Sequence, residues 1–579
     1  MYLPFRNIRR LLTSPLPRYS CSSICGGDFS ILSSLSQYRK MLVLWCVAAG
    51  LALVRGQKSG TPDLHPIAGL AAKGIRSSRL DALFLGAGSD DDSSCYCSLA
   101  CETLATTFGD AQVSSVGQEA YGARLDRFWS AQQAQETKPQ CFFHPFDAED
   151  ISVAILVSRA TQCPFAVKGG GHAAFKGASN SDGGITIDFV NMAQVIPSAD
   201  LKTVSIGPGN TWFDVYSTLE TYNLTMVGGR VASVGVGGLL LGGGISFFSG
   251  QHGWACDNIV SYEIVIASGE ILHVDSANHP DLFWALRGGG GNFGVVTKFV
   301  ANTFKQGPMW GGFILYDMHS TKSAIIDPMM SWAKRGGLED PKSAMIVSYT
   351  YAQPYSAWIL ATILDHAEPQ EPGSHPEVFN DFFLDNPISD STRTTTHSNL
   401  TMEIDSMSPF GLRQTYWMLS IHVDKQLVSD LVDIQEEEVA PIANVPGLVA
   451  SVSFQVIKGK QLQWMSTNGG NALGVGNKPF LVANLAYTWA LQSDDKAVLK
   501  AVNNIVTRAK SVSKERGLFH PFLYMNYASQ WQDPIAGYGA ENKGKLLKIS
   551  KKYDPEGVFQ KLHPGYFKLH GPPMEWKDE

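Results

Sequence analysis

Charged side chains are scarce in this chain: they make up 17% of its 579 residues, against 44% hydrophobic ones. Disorder driven by excess charge is thereby excluded. The net charge is −7, so no basic surplus exists to hold a nucleic acid. The longest apolar run, residues 41–54, has about 14 residues, short of the roughly 20 that a spanning helix needs. No GxxxxGKS/T loop occurs, which argues against a P-loop nucleotidase. No GxSxG elbow accompanies an acid and a histidine, which argues against a serine hydrolase. The nine cysteines lack a zinc-like spacing, so no metal site is expected. What remains is a large globular protein of roughly two to four domains with an unusual 56 glycines.

The first 40 residues carry six basic side chains (Arg6, Arg9, Arg10, Arg18, Arg39 and Lys40) and one acid, Asp28. Such an acid-poor stretch could be a mitochondrial address. Arg39-Lys40-Met41 followed by LVLWCVAAGLALV instead fits the basic and apolar regions of a secretory signal, with Gly56 a plausible cleavage position. Secretion is the expectation, residues 1–56 forming a targeting region with the signal at 41–56. Cleavage there leaves six cysteines: Cys95, Cys97, Cys101, Cys141, Cys163 and Cys256. The clustered three and the two downstream point to disulfides tying the amino-terminal segment to the domain behind it. Asn223-Leu-Thr and Asn399-Leu-Thr are glycosylation sequons.

Residues 57–94, with their SDDDSS tract, read as a linker. Strands are expected at 141–144, 165–167, 185–189 and 203–206, and a hairpin over 259–274 turning at Ser268-Gly269. Helices are expected at 147–160, capped by Asp147, and at 211–222. After about residue 313 glycine thins out. Strands at 344–351, 358–364, 414–422 and 480–488, with helices at 427–439 and 494–516, predict an α+β domain on an antiparallel sheet. Residues 522–527 read as a late strand and 542–552 as a basic helix.

Three glycine clusters stand out: Lys168-Gly-Gly-Gly-His172 directly after a strand, residues 228–244 (GGRVASVGVGGLLLGGG), and residues 287–294 (RGGGGNFG). Of the 56 glycines, 24 lie in residues 165–300. Glycine lets backbone N–H groups approach a ligand closely, and successive N–H groups form anion-binding nests. Three such loops suggest one long, phosphate-bearing ligand. None has the placement of a Rossmann fingerprint. His172, at the end of such a loop, is exposed to whatever the loop binds and can act as ligand, proton shuttle or nucleophile.

These motifs, with WACDN at 254–258, HPDLFWALRGGGGNFG at 279–294 and YMNY at 524–527, resemble the berberine bridge enzyme-like flavoproteins of the vanillyl-alcohol oxidase and para-cresol methylhydroxylase (PCMH) superfamily, in particular fungal secreted FAD-linked oxidoreductases. The resemblance covers about residues 95–567. It implies an α+β fold with a bipartite PCMH-type FAD-binding domain, residues 95–310 and 517–579, and an inserted substrate domain, residues 311–516. It implies FAD as cofactor, with contacts from Lys168, Gly169, Gly170, Gly171, His172, Val231, Ser233, Val234, Gly235, Gly238, Gly243, Asp257, Asn258, Val265 and Asn526. His172 matches the flavin-linking histidine. Val231 stands where bicovalent members carry a second linking cysteine, so one tether is expected. Val234 falls at the position resembling an oxygen gate, and a valine there is oxidase-like.

The activity so implied is oxidation of an alcohol, sugar or secondary metabolite by hydride transfer to covalently bound FAD, then to oxygen, giving hydrogen peroxide. The partners are a small molecule and oxygen, with no nucleic acid, no stable membrane association and a monomeric chain. A dehydrogenase using another acceptor, and an FAD-bound binding protein with little turnover, share the pattern. Tyr524 and Tyr527 match the motif that carries a catalytic tyrosine; in a strand they would point to opposite faces, so one serves. A neutral phenol needs a nearby cation to act as a base. In plant-type relatives a lysine supplies it; here Val482 falls at that position, so the activated pair is expected to be absent. Asn484, Tyr487 and Gln455 are the expected substrate contacts.

Overall fold

A computed structural model describes residues 65–80, 93–463 and 469–577. The targeting region, residues 1–56, lies outside the described residues. Residues 57–94, read as a linker, contain the helix Pro66–Ala72. Gly69 of that helix faces Leu156, and a Cβ there would lie 3.0 Å from the leucine side chain. Helix Pro66–Ala72 therefore packs closely on Leu156, and its glycine is what admits the contact.

The first layer is a four-stranded sheet in the order Val113–Ser115, Cys141–Phe143, Ile185–Asp188, Phe165–Lys168. The last three strands run parallel. Helix Ala148–Thr161 makes the crossover; the Asp147 carboxylate accepts from the Asp150 N–H at 3.1 Å to cap it. Its residues are buried almost all round because helices Pro66–Ala72 and Ser93–Phe108 cover its outer side. Disulfides Cys97–Cys163 and Cys101–Cys141 fasten helix Ser93–Phe108 to this sheet. The expected ties between the amino-terminal segment and the following domain are thus present.

A second, antiparallel sheet has the order Val195–Pro197, Thr203–Ile206, Val295–Asn302, Ile259–Val265, Ile271–Asp275. The predicted hairpin turns at Gly269, whose φ is +82°. Helix Trp212–Glu220 packs beside it, closed by a capping box between Thr211 and Asp214.

The third sheet is large and antiparallel. Its main path runs Met309–Asp317, Ala357–His366, Ser343–Ala352, Val449–Ile457, Phe480–Trp489, Arg413–His422. Strand alternation divides its chemistry. Leu481, Ala483, Leu485, Tyr487 and Trp489 face helices Lys425–Val439 and Asp495–Glu515 and join their apolar residues in one core. Asn484, Ala486 and Thr488 face the opposite way, into a cavity. Met309–Asp317 is not predicted from sequence: it is buried on both faces, so no period of two shows.

Phe519–His520 adds to the edge of this sheet. The expected strand over 522–527 is not formed; residues Met525–Tyr527 make a 3-10 turn instead. The chain then returns through helix Ala540–Tyr553. The Phe165 N–H donates to the Leu562 carbonyl at 2.6 Å, and Asn292 Nδ2 donates to the Phe567 carbonyl at 3.1 Å. The carboxyl-terminal segment therefore fastens onto the first sheet and the third glycine loop. The fold is α+β, as expected. Among the described residues no helix is long and apolar enough to cross a membrane.

Cys101–Cys141 closes a loop of 40 residues. Replacing both cysteines by serine is expected to cost about 2–4 kcal/mol of stability. Chemical denaturation checks this; an unchanged midpoint would show that the helix is held by packing alone.

Candidate functional site

The three glycine loops converge on a cavity of about 440 Å³ beneath the polar face of the large sheet, within the usual size of a small-molecule site. Gly169, Gly170, Gly171 and His172 line it, as do Val231, Val234, Gly235 and Gly238 of the second loop and Gly290, Gly291 and Gly294 of the third. The first two loops touch backbone to backbone. A Cβ on Gly170 would sit 2.4 Å from the Gly235 nitrogen, and one on Gly235 would sit 2.2 Å from the Gly170 nitrogen. A side chain at either position would force the loops apart. Gly238 differs: a Cβ there meets nothing within 4 Å, so its missing side chain leaves open space beside the cavity.

His172 stacks on Trp129, with ring centroids 4.3 Å apart, and meets the edge of Phe410 at 6.1 Å. Its Nε2 is buried without a hydrogen-bond partner. Burial pushes the imidazole pKa down to about 4, against a smaller opposing effect of Asp405. The ring is therefore neutral at physiological pH, the form in which a nitrogen lone pair is free. An unpartnered imidazole nitrogen and bare backbone around a long cavity fit a dinucleotide joined at this histidine.

At the roof, Tyr524 and Tyr527 meet edge to face, with centroids 4.9 Å apart. The 3-10 turn, rather than a strand, brings them together. Their hydroxyls differ in use. Tyr524 is fully buried, and its oxygen accepts from the Gly244 N–H at 3.1 Å, the Ile245 N–H at 3.2 Å and Asn526 Nδ2 at 2.9 Å. Burial raises its pKa. Tyr527 is only partly buried, and its oxygen accepts from Arg230 Nη2 at 2.8 Å. The same Nη2 donates to Gln455 Oε1 at 2.6 Å, and Gln455 Nε2 lies 3.4 Å from the Tyr527 oxygen. The expectation that no cation accompanies the tyrosine therefore does not hold: the position of the lysine is valine, but Arg230 reaches the hydroxyl from another loop. Asn484 lines the cavity with its Oδ1 buried and unpartnered.

Several expected contacts do not reach the cavity. Strand alternation turns Lys168 away, and its Nζ lies 3.2 Å from Asp188, which also binds Arg124. Ser233 bonds to Asp405. Asp257 accepts from Asn471 at 2.7 Å, and Asn258 donates to two backbone carbonyls of its own turn. Gly243, with φ of +117°, shapes that turn, its carbonyl accepting from the Cys256 N–H at 2.8 Å. Val265 packs in the core beside the first sheet. Tyr487 is fully buried among the helices behind the large sheet and does not contact the cavity. Cys256 is free and buried, its thiol pKa raised well above normal by burial, and it does not line the cavity. Lining residues that sequence reading missed include Arg230, Trp129, Tyr416 and His563. Arg230 alone left a signal, a charge between two glycines and Val231.

A family model for an FAD binding domain matches residues 139–275. The FAD-dependent monooxygenase tpcD of Cochliobolus heterostrophus is 38% identical over 502 residues, 83% of this chain and 95% of its own length. The FAD-dependent monooxygenase FUP4 of Fusarium proliferatum is 36% identical over 498 residues, 82% of this chain and 94% of its own. Among solved structures, a glucooligosaccharide oxidase from Acremonium strictum matches with a TM-score of 0.65 at 19% identity, over 84% of this chain and 100% of that one. That last likeness establishes the fold.

Gly170→Ala is expected to separate the first two loops and lower the bound flavin per protein, read from the visible absorbance of the purified chain; full flavin content would contradict the contact. His172 has its folded pKa lowered, so its contribution falls as pH drops from about 6.5 toward 4. Denaturation of flavin-free protein across that window should show less of this slope in His172→Ala. An identical slope would contradict the burial.

Proposed function

The chain belongs to the FAD-linked oxidoreductases of berberine bridge enzyme-like type, and from that premise we propose that it is a secreted oxidase of a neutral small molecule, with FAD joined through His172 alone and Tyr527 as the base. The observation that carries the assignment of the base is the contrast between the two hydroxyls. Tyr524 spends its oxygen on three donors that hold the 244–245 turn. Tyr527 opens on the cavity beside Asn484 and Gln455.

FAD supplies a two-electron acceptor that oxygen regenerates, with release of hydrogen peroxide. The remaining work falls to the chain. Gln455 and Asn484 orient a substrate hydroxyl, and Tyr527, deprotonated, takes its proton as the carbon gives up hydride and becomes a carbonyl. Ser348, Thr350, Ser451, Ser453 and Thr488 extend the polar roof with uncharged hydroxyls. Among the described residues no Asp, Glu or Lys side chain lines the cavity, so an uncharged, hydroxyl-bearing substrate suits it. Val231, at the cavity wall, leaves no second tether. Secretion is supported by disulfides Cys97–Cys163 and Cys101–Cys141 and by the exposure of both sequon asparagines, Asn223 and Asn399.

A second reading has a specific basis: the relatives at 38% and 36% identity are named monooxygenases. A screen of alcohols, sugars and phenolic metabolites under ¹⁸O-labelled oxygen separates the two. The oxidase reading expects peroxide and no label in the product; label in the product establishes the monooxygenase. With the substrate so found, Tyr527→Phe should lower the rate of flavin reduction by about 100-fold or more, and Tyr524→Phe should chiefly lower stability. Full reduction by Tyr527→Phe would remove that tyrosine from the mechanism.

A further inference from the structure

We propose that Arg230 is the positioning residue that makes Tyr527 a base, by supplying the positive charge that stabilises its phenolate. This inference rests on the assignment of Tyr527 above and adds the residue through which that tyrosine acts.

The backbone ahead of Arg230 is fixed. A Cβ on Gly228 or Gly229 would lie 2.0 Å or 2.4 Å from the Trp212 ring. The two glycines are pressed onto that indole, and the arginine that follows is delivered to the roof of the cavity. Its guanidinium is buried, and one nitrogen donates to both Tyr527 and Gln455. Gln455 also approaches the Tyr527 oxygen, so the three groups form one closed hydrogen-bonded set.

Among the described residues no carboxylate lines the cavity. The acids that feel Arg230 or its surroundings are Asp365, with Glu403 beyond it; Asp365 is fully buried, and burial pushes its carboxyl pKa well up, toward the neutral form. The other titratable groups facing the pair are Tyr216, Tyr416 and Tyr524, whose pKa values are all raised by burial. The phenol oxygen lies within hydrogen-bond reach of the guanidinium, at 2.8 Å. An opposite charge at that range favours the ionised form of a titrating group, typically by about 1–3 pH units. The proton balance is simple: the Tyr527 phenolate accepts the substrate hydroxyl proton, then releases it to solvent before the next turnover.

The titration itself needs no substrate. Holoenzyme labelled with ¹³Cζ-tyrosine is titrated by NMR, and the Tyr527 signal is identified by its absence in Tyr527→Phe. Arg230→Gln is expected to raise the ionisation midpoint of that signal by about 1–3 pH units, and Arg230→Lys by clearly less. Arg230→Met, which keeps much of the apolar stem and removes the charge, should move it upward as well and serves if Arg230→Gln does not fold. A midpoint unmoved in Arg230→Gln, or in Arg230→Met where the first variant does not fold, would overturn the proposal. Loss of activity in Tyr527→Phe combined with an unmoved midpoint would sink the role of Arg230 and leave the base in place; the converse pattern would sink the base.

Discussion

The contact between Gly170 and Gly235 is the constraint on which the site depends. Two loops, one leaving the parallel sheet and one entering helix Val236–Leu241, pass so close that neither position admits a Cβ. Their closeness sets His172 at one end of the cavity and places Arg230, Val231 and Val234 along its wall. Moving the loops apart would separate His172 from the residues opposite it. Glycine here is a packing requirement more than a conformational one, since Gly235 keeps a φ of −71° that any residue adopts.

The large sheet supplies the other half. Its period of two sends aromatic and aliphatic side chains to the helices and small hydroxyl and amide side chains to the cavity. One set of strands thus serves as core and as cavity roof. The carboxyl-terminal segment closes the arrangement. It starts as an edge strand of that sheet, turns at Met525–Tyr527 to place two tyrosines at the roof, and ends hydrogen-bonded to the first sheet and the third glycine loop. A segment far along the chain thereby reaches the cofactor loops near its middle.

Much of this was legible in the sequence. Amphipathic helices such as Asp495–Glu515 and the hairpin at Gly269 follow directly from periodicity and turn chemistry. The glycine clusters marked loops that line the cavity, and the motif order pointed to the fold. What was not legible depended on partners distant in the chain. Met309–Asp317 is buried on both faces and shows no alternation. Lys168 lies in a ligand motif, yet Asp188 claims its charge. Tyr487 sits one residue out of phase with the cavity face. Residues 522–527 look like a strand because they are apolar and aromatic, but the turn is set by contacts with the second loop. Arg230 could not be joined to Tyr527 by any local rule, since 297 residues separate them.

The central claim is that the cavity between the glycine loops and the large sheet holds FAD by a single bond to His172. Mass spectrometry of proteolytic peptides from the purified yellow protein tests it most directly. The account predicts one flavin adduct, on the peptide containing His172, and an unmodified peptide containing Val231. An adduct on any other residue, or no adduct on any peptide, would contradict it.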